Sequence, residues 1–162
     1  MKPANQTSVS LSPARLDLAQ SASGLFLALF MWLHMAFVST ILWGKDAFWT
    51  IARFFEGYFF LGRPLPMLVS LFSVAILLII LLHAGLAMRK FPANLRQYRA
   101  LWTHTRGFRH QDTTLWLVQV GTGFAMFFLT SGHLYAMIDV PEAIDPYGSA
   151  DQVWSGRTWP LL

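Results

Sequence analysis

Three long runs without a formal charge constrain this chain more than any other feature. They are twenty, twenty-two and twenty-four residues long and cover positions 24–43, 67–88 and 115–138. A helix rises about 1.5 Å per residue, so each run is long enough to cross a hydrocarbon core of about 30 Å. In lipid, a helix satisfies every backbone polar group within its own segment. We therefore predict three complete membrane spans, at about 22–44, 65–90 and 113–138.

The composition excludes an ordinary water-soluble domain. Only 12% of the 162 residues are charged and 55% are apolar, whereas a soluble domain carries about 25% charged residues. The chain has no cysteine, which excludes a disulfide, an iron–sulfur cluster or a cysteine-based zinc site within it. The predicted fold class is all-α, an integral membrane helical bundle over residues 20–162, preceded by a polar tail over residues 1–19.

The two ends of the sequence lead to separate predictions. The polar tail has no apolar core typical of a cleaved signal peptide, so we do not expect one. Residues 158–162 resemble the first turn of a further hydrophobic helix, and we expect the sequence to be a fragment of a longer chain. The proline and glycine cluster at 146–148 predicts a loop after the third span.

The basic residues predict how the bundle is oriented. Eight of the twelve lysines and arginines lie in the tail and in the connection between the second and third spans, while six of the eight acids lie on the opposite side. The positive-inside rule therefore places the N-terminus and the 89–113 connection in the cytoplasm. Nucleic-acid binding by this basic connection is not expected, because the flanking spans hold it at the membrane.

Each of the three spans contains one histidine, at His34, His83 and His133. An ionisable side chain inside a membrane span indicates a functional site by default. From the cytoplasmic ends of their helices, His34 lies at a depth of about 18–20 Å, His133 at about 25–29 Å and His83 at about 8–10 Å. We predict that His34 and His133 share the outer half, where two imidazoles at similar depth can ligate one haem b from both faces. His83 would need a second ligand from elsewhere.

Other interpretations of the three histidines stay open. A redox-silent membrane anchor or channel could use them structurally, bonded to serine or threonine on a neighbouring helix. A zinc site would want the three imidazoles at one depth, which their spacing disfavours. Lys90 could pair with a haem propionate at the inner surface, and three hydrogen-bond donors at the same level are Gln20, Ser21 and Trp116. Ordinary interfacial anchoring is the alternative for these residues.

One acid on the outer side, Glu56, has aromatic neighbours that we predict to build a pocket suited to a quinone ring. Its aromatic neighbours are Phe54, Phe55, Tyr58, Phe59 and Phe60. A carboxylate in a quinone pocket can accept a proton as a general base. The alternative is a solvated acid in an outer loop.

Four segments resemble the dihaem cytochrome b subunit of quinol:fumarate reductases and succinate:menaquinone oxidoreductases. The likeness extends over residues 16–162, and the segments are QSASGLFLALFMWLHMAFVSTIL, HAGLAMRKFPANLRQY, RHQDTTLWLVQVGTGFAMFFLTSGHLY and WPL. The resemblance implies five membrane helices around two stacked haem b groups in a bacterial inner membrane. It also implies two partners, an iron–sulfur subunit and a flavoprotein subunit that carries FAD. A dimer of that heterotrimer stays open.

The resemblance assigns roles to residues at matching positions. It implies that His34 and His133 ligate the distal haem and that His83 ligates the proximal haem, whose other ligand lies on a later helix. It implies a role in menaquinol oxidation for Glu56. Residues matching propionate contacts are Gln20, Ser21, Lys90 and Trp116. A basic propionate contact of the family falls at Gln152 here, a departure that weakens anchoring on the outer side, although Arg157 is nearby.

The function implied is that of a membrane anchor that oxidises menaquinol and passes electrons through two b haems to the iron–sulfur subunit. The reverse activity, succinate oxidation with menaquinone reduction, is the first alternative. Another is the dihaem cytochrome b of a formate dehydrogenase or hydrogenase, and a third is the redox-silent anchor. His104 and His110 in the cytoplasmic connection are interpreted as surface contacts to the iron–sulfur subunit.

Overall fold

A computed structural model describes residues 12–108, 111–139 and 145–155, apart from the side chains of 104–108, 111, 112 and 152. Every element within these ranges is a helix, which confirms the predicted all-α class. The elements are α1 (Ser12–Val38) with a 3₁₀ turn (Ser39–Trp43), α2 (Lys45–Phe55), α3 (Tyr58–Leu61), α4 (Pro66–Met88), α5 (Leu95–Phe108), α6 (Gln111–Asp139) and α7 (Pro146–Trp154).

Three of these described helices are long and apolar enough to cross a membrane. They are Ser12–Trp43, Pro66–Met88 and Thr113–Asp139, so the chain is a multi-pass membrane protein. The first helix begins at Ser12, ten positions before the predicted start of the span at about 22. The polar residues of the tail therefore extend the first helix by about 15 Å at 1.5 Å per residue.

Helix α4 is the centre of the bundle and packs against both α1 and α6. In its middle, Ser73 and Ile76 are buried. Between α4 and α6, the Ser70 hydroxyl donates a hydrogen bond to the Met137 carbonyl at 3.0 Å. Large apolar side chains such as Trp32 and Phe128 are exposed, as expected for helices that are apolar on every face and surrounded by lipid.

The bundle has two ends, which we name the tail end (Ser12, Met88 and Thr113) and the cap end (Trp43, Pro66 and Asp139). At the cap end, two tight turns bracket α3, because Gly57 and Gly62 adopt left-handed φ values of 75° and 69°. A Cβ on Gly57 would lie 2.9 Å from Leu68 Cδ1. The turn after α2 therefore sits directly against the start of α4.

A short helix, α7, covers the cap end where the sequence predicted a loop. That prediction was wrong because Asp145 caps the helix, accepting hydrogen bonds from the Tyr147 and Gly148 amides, and Pro146 suits a first helical position. Helix α7 packs on α2: Lys45 pairs with Asp151, and the Tyr147 hydroxyl donates to Asp46 Oδ1 at 2.8 Å. This bond raises the pKa of Tyr147.

Candidate functional site

The imidazoles of His34 on α1 and His133 on α6 lie next to each other. Their ring centroids are 6.0 Å apart and their planes are inclined by 61°. Phe30 stacks on His34 at 5.6 Å and contacts Phe72 of α4 at 5.7 Å. All three membrane-spanning helices therefore contribute to the surroundings of this histidine pair.

The spacing of the pair fits ligation of a single metal ion. A bond from a metal to an imidazole nitrogen is about 2 Å long, and that nitrogen lies about 1 Å from the centroid of its ring. Two imidazoles on opposite sides of one metal ion therefore have centroids about 6 Å apart. The observed 6.0 Å matches this distance. Among the described residues, no group of three or more histidine or acidic side chains is placed to hold a metal.

The third histidine, His83, lies in the tail half of α4 and faces α1. Its Nδ1 is 3.0 Å from the Ser23 hydroxyl oxygen. The ring also lies against Gly24, where a Cβ would be 2.9 Å from His83 Cε1. The absence of a side chain at Gly24 is what allows the imidazole to approach the backbone of α1.

We expect Gly24→Ala to displace the His83 ring, because a contact of 2.9 Å is shorter than a Cβ tolerates. Because the family resemblance implies a haem at His83, the measurement is the haem content and midpoint potential of membranes that contain the chain, and we expect haem binding at His83 to be weakened or lost. Gly85→Ala is the matched control. Gly85 lies two positions after His83 and hence about 200° around the helix, and its added methyl meets nothing within 4 Å. Equal effects of both substitutions would contradict the prediction.

The tail end gathers the residues predicted to contact propionates. Gln20 Oε1 is buried and has no hydrogen-bond partner among the described residues, which in a native structure indicates an absent partner. If the side-chain amide of Gln20 were rotated by 180° about its Cγ–Cδ bond, its NH₂ group would face the same space and could donate to a carboxylate. Ser21 is exposed at the next position, and Trp116 lies against Phe91 with ring centroids 6.1 Å apart.

An acid that the sequence interpretation missed, Asp17, faces the basic pair at this end. Lys90 Nζ lies 3.4 Å from Asp17 Oδ1, and Arg89 pairs with the same oxygen. Among the described residues, these two cations thus share one anion. The pairing joins positions 72 residues apart, so no local sequence pattern indicates it.

At the cap end, Glu56 is only 2% exposed, so it is not the solvated loop acid of the alternative interpretation. Its carboxylate pairs with Arg53, three positions earlier. The Arg53 guanidinium lies 5.7 Å from the ring centroid of Trp49. Sequence reasoning missed Arg53, although spacing of three on a helix places two side chains side by side.

The aromatic side chains around Glu56 form an exposed surface and not an enclosed pocket. Phe54 contacts Phe60 at 5.7 Å, yet the two rings are 47% and 75% exposed. An apolar depression of about 280 Å³ lies at the start of α4, and its lining residues are Leu65, Met67, Leu68 and Leu71. Leu65 donates its amide to the Glu56 carbonyl at 2.9 Å, so this depression adjoins the Glu56 turn.

For four residues considered in the sequence analysis, the structure describes either no side chain or neither backbone nor side chain. They are His104, His110, Gln152 and Arg157.

Comparison with known proteins links the chain to one kind of subunit. It is 49% identical over 148 residues to the fumarate reductase cytochrome b subunit of Helicobacter pylori, covering 91% of this chain and 58% of that protein. It is also 49% identical over 152 residues to the subunit of the same name from Wolinella succinogenes, covering 94% and 59%. No protein-family model matches the chain. The chain thus spans about three-fifths of the length of these curated relatives.

Proposed function

Because this chain belongs by sequence with the fumarate reductase cytochrome b subunits, we propose that it forms the haem-binding and quinol-binding part of such a subunit. The observation that carries the proposal is the His34–His133 pair, with ring centroids 6.0 Å apart between two spans. A membrane anchor without redox chemistry needs no such pair at a metal-ligating distance.

Two haem b groups are proposed for the complete subunit. His34 and His133 would hold one group and His83 the other, with its second ligand supplied from outside this chain's described helices. The buried, unpartnered oxygen of the Gln20 side chain supports a propionate at the tail end, together with Ser21, Lys90 and Trp116. When bound, a bis-histidine haem takes up and releases one electron at a time.

The proton chemistry is proposed for the cap end. Oxidation of menaquinol to menaquinone releases two electrons and two protons, and Glu56 accepts one of these protons. Arg53 pairs with the carboxylate and so holds it in one position, and a general base must be positioned to accept the proton. The apolar depression beside this turn supports a site for the quinone's hydrophobic body.

The subunit is proposed to lie in the bacterial inner membrane, with its tail end in the cytoplasm. The pair Arg89 and Lys90 at that end supports this orientation. Partner subunits on that side, an iron–sulfur protein and a flavoprotein with FAD, would receive the electrons and reduce fumarate.

A reduced-minus-oxidised visible spectrum of membranes containing the complex tests the proposal directly. We expect a sharp α-band from b-type haem, because the histidine pair has the spacing for axial ligation. Membranes from a strain lacking the chain serve as the control. A redox-silent anchor would give identical spectra from both membranes, and that result would overturn the proposal.

A further inference from the structure

A single serine hydroxyl, Ser23, contacts two acceptor-capable groups at once. Its oxygen lies 3.0 Å from the backbone carbonyl oxygen of Gln20 and 3.0 Å from His83 Nδ1. Ser23 lies on α1 and His83 on α4, 60 positions apart. The contact between Ser23 and His83 therefore links two membrane-spanning helices at the candidate proximal haem ligand, which is His83.

The chemistry of the three groups limits where the protons can lie. A carbonyl oxygen only accepts, and a hydroxyl has one proton to donate. When the Ser23 proton is engaged by the Gln20 backbone carbonyl, the contact with His83 is a hydrogen bond in which Nδ1 carries the proton and donates it to the Ser23 oxygen. In a neutral imidazole the other nitrogen, Nε2, then bears a free lone pair.

We propose that Ser23 is a positioning residue for His83, which holds the imidazole in the tautomer whose Nε2 is ready to bind a haem iron. This inference rests on the proposed function, because it takes His83 to be an axial ligand. Metal-binding histidines generally donate their second N–H to such a partner, which fixes the ring and makes the ligand more basic. Gly24 contributes space, since any side chain there would meet the ring at 2.9 Å.

The inference predicts the direction of a redox change. An imidazole that donates from Nδ1 gives more electron density to the iron, which stabilises the oxidised haem. Removing the acceptor in Ser23→Ala therefore raises the midpoint potential of one haem and leaves the other unchanged. A change of about tenfold in the oxidised-to-reduced ratio corresponds to about 59 mV for one electron.

The experiment is a potentiometric titration of both haems in the whole complex purified from membranes, with electron paramagnetic resonance spectra of the oxidised haems. Ser23→Thr keeps the hydroxyl and should behave as the unmodified protein. Ser39→Ala is the matched control, because Ser39 donates to a carbonyl of its own helix, that of Met35, as Ser23 does to Gln20. It should change neither potential.

Each outcome bears on the inference. A raised potential for one haem in Ser23→Ala, or selective loss of that haem, supports it when Ser23→Thr and Ser39→Ala keep both haems unchanged. Unchanged potentials in Ser23→Ala overturn it, and so does a Ser23→Thr variant that matches Ser23→Ala. A His83→Ala variant tests the haem-ligand role of His83 separately from the positioning role of Ser23. If it retains both haems, the ligand assignment itself fails; if it loses one while Ser23→Ala is silent, only the role of Ser23 fails.

Discussion

Replacing either His34 or His133 with alanine is expected to remove one of two haem b groups from the complex and to leave the other in place. Both substitutions should give the same result, because the two rings are neighbours, with centroids 6.0 Å apart, and would ligate the same iron. A haem that loses one axial imidazole loses half of its protein ligands, so low occupancy or complete loss is expected. The measurement is haem content per complex by extraction, with the midpoint potential of the haem that remains.

A neighbouring aromatic residue provides the control. Phe30 stacks on His34 at 5.6 Å but carries no atom that can ligate iron. Phe30→Leu should therefore retain both haems, which separates ligation from packing around the site. Full haem content in either histidine variant would refute the pairing, and so would loss of both haems from a complex that still assembles.

The membrane spans could be predicted from the sequence because the lipid imposes a single dominant constraint. An unpaired backbone group in hydrocarbon costs several kcal/mol, so a charge-free run of twenty residues has few alternatives to a helix. Four helices outside the long apolar runs escaped prediction, namely α2, α3, α5 and α7; the 89–113 connection, interpreted as a loop, contains α5. In these segments hydrophobicity alone does not impose a helix, and around α7 turn-forming residues such as Pro146 and Gly148 obscure the pattern.

The sequence did not allow a prediction of which face of each helix packs on its neighbours, and for that reason it did not predict the side-chain contacts between helices. Helix α4 is apolar on all sides, so its sequence carries no periodic signal for the face that meets α1. The contacts of His83 with Ser23 and of Lys90 with Asp17 depend on that rotation. The depth of each histidine, in contrast, follows from helical rise alone, and depth was the basis for expecting His34 and His133 to share one half of the membrane.

Glu56→Gln is expected to lower menaquinol oxidation by about 10²–10⁴-fold, the usual contribution of a general base, while both haems are retained. The amide has nearly the shape of the carboxylate but cannot accept the quinol's proton. Fumarate reduction by an artificial dye that donates to the soluble partner subunits should survive. The measurement compares quinol-driven with dye-driven fumarate reduction in the same preparation.

The Arg53 ion pair makes a second variant necessary. Glu56→Gln leaves the Arg53 side chain, which is 23% exposed, without its counter-ion, and breaking a buried pair destabilises a protein by up to about 3–5 kcal/mol. Partial exposure of Arg53 and the remaining amide oxygen reduce this cost. Arg53→Gln breaks the same pair but keeps the carboxylate, so its rate loss measures the effect of breaking the ion pair while the proton acceptor is still present. We expect that loss to be at least tenfold smaller than the loss in Glu56→Gln, by the same general-base estimate. Equal losses in the two variants would assign the effect to packing, and a loss below about tenfold in Glu56→Gln would assign the proton to another group.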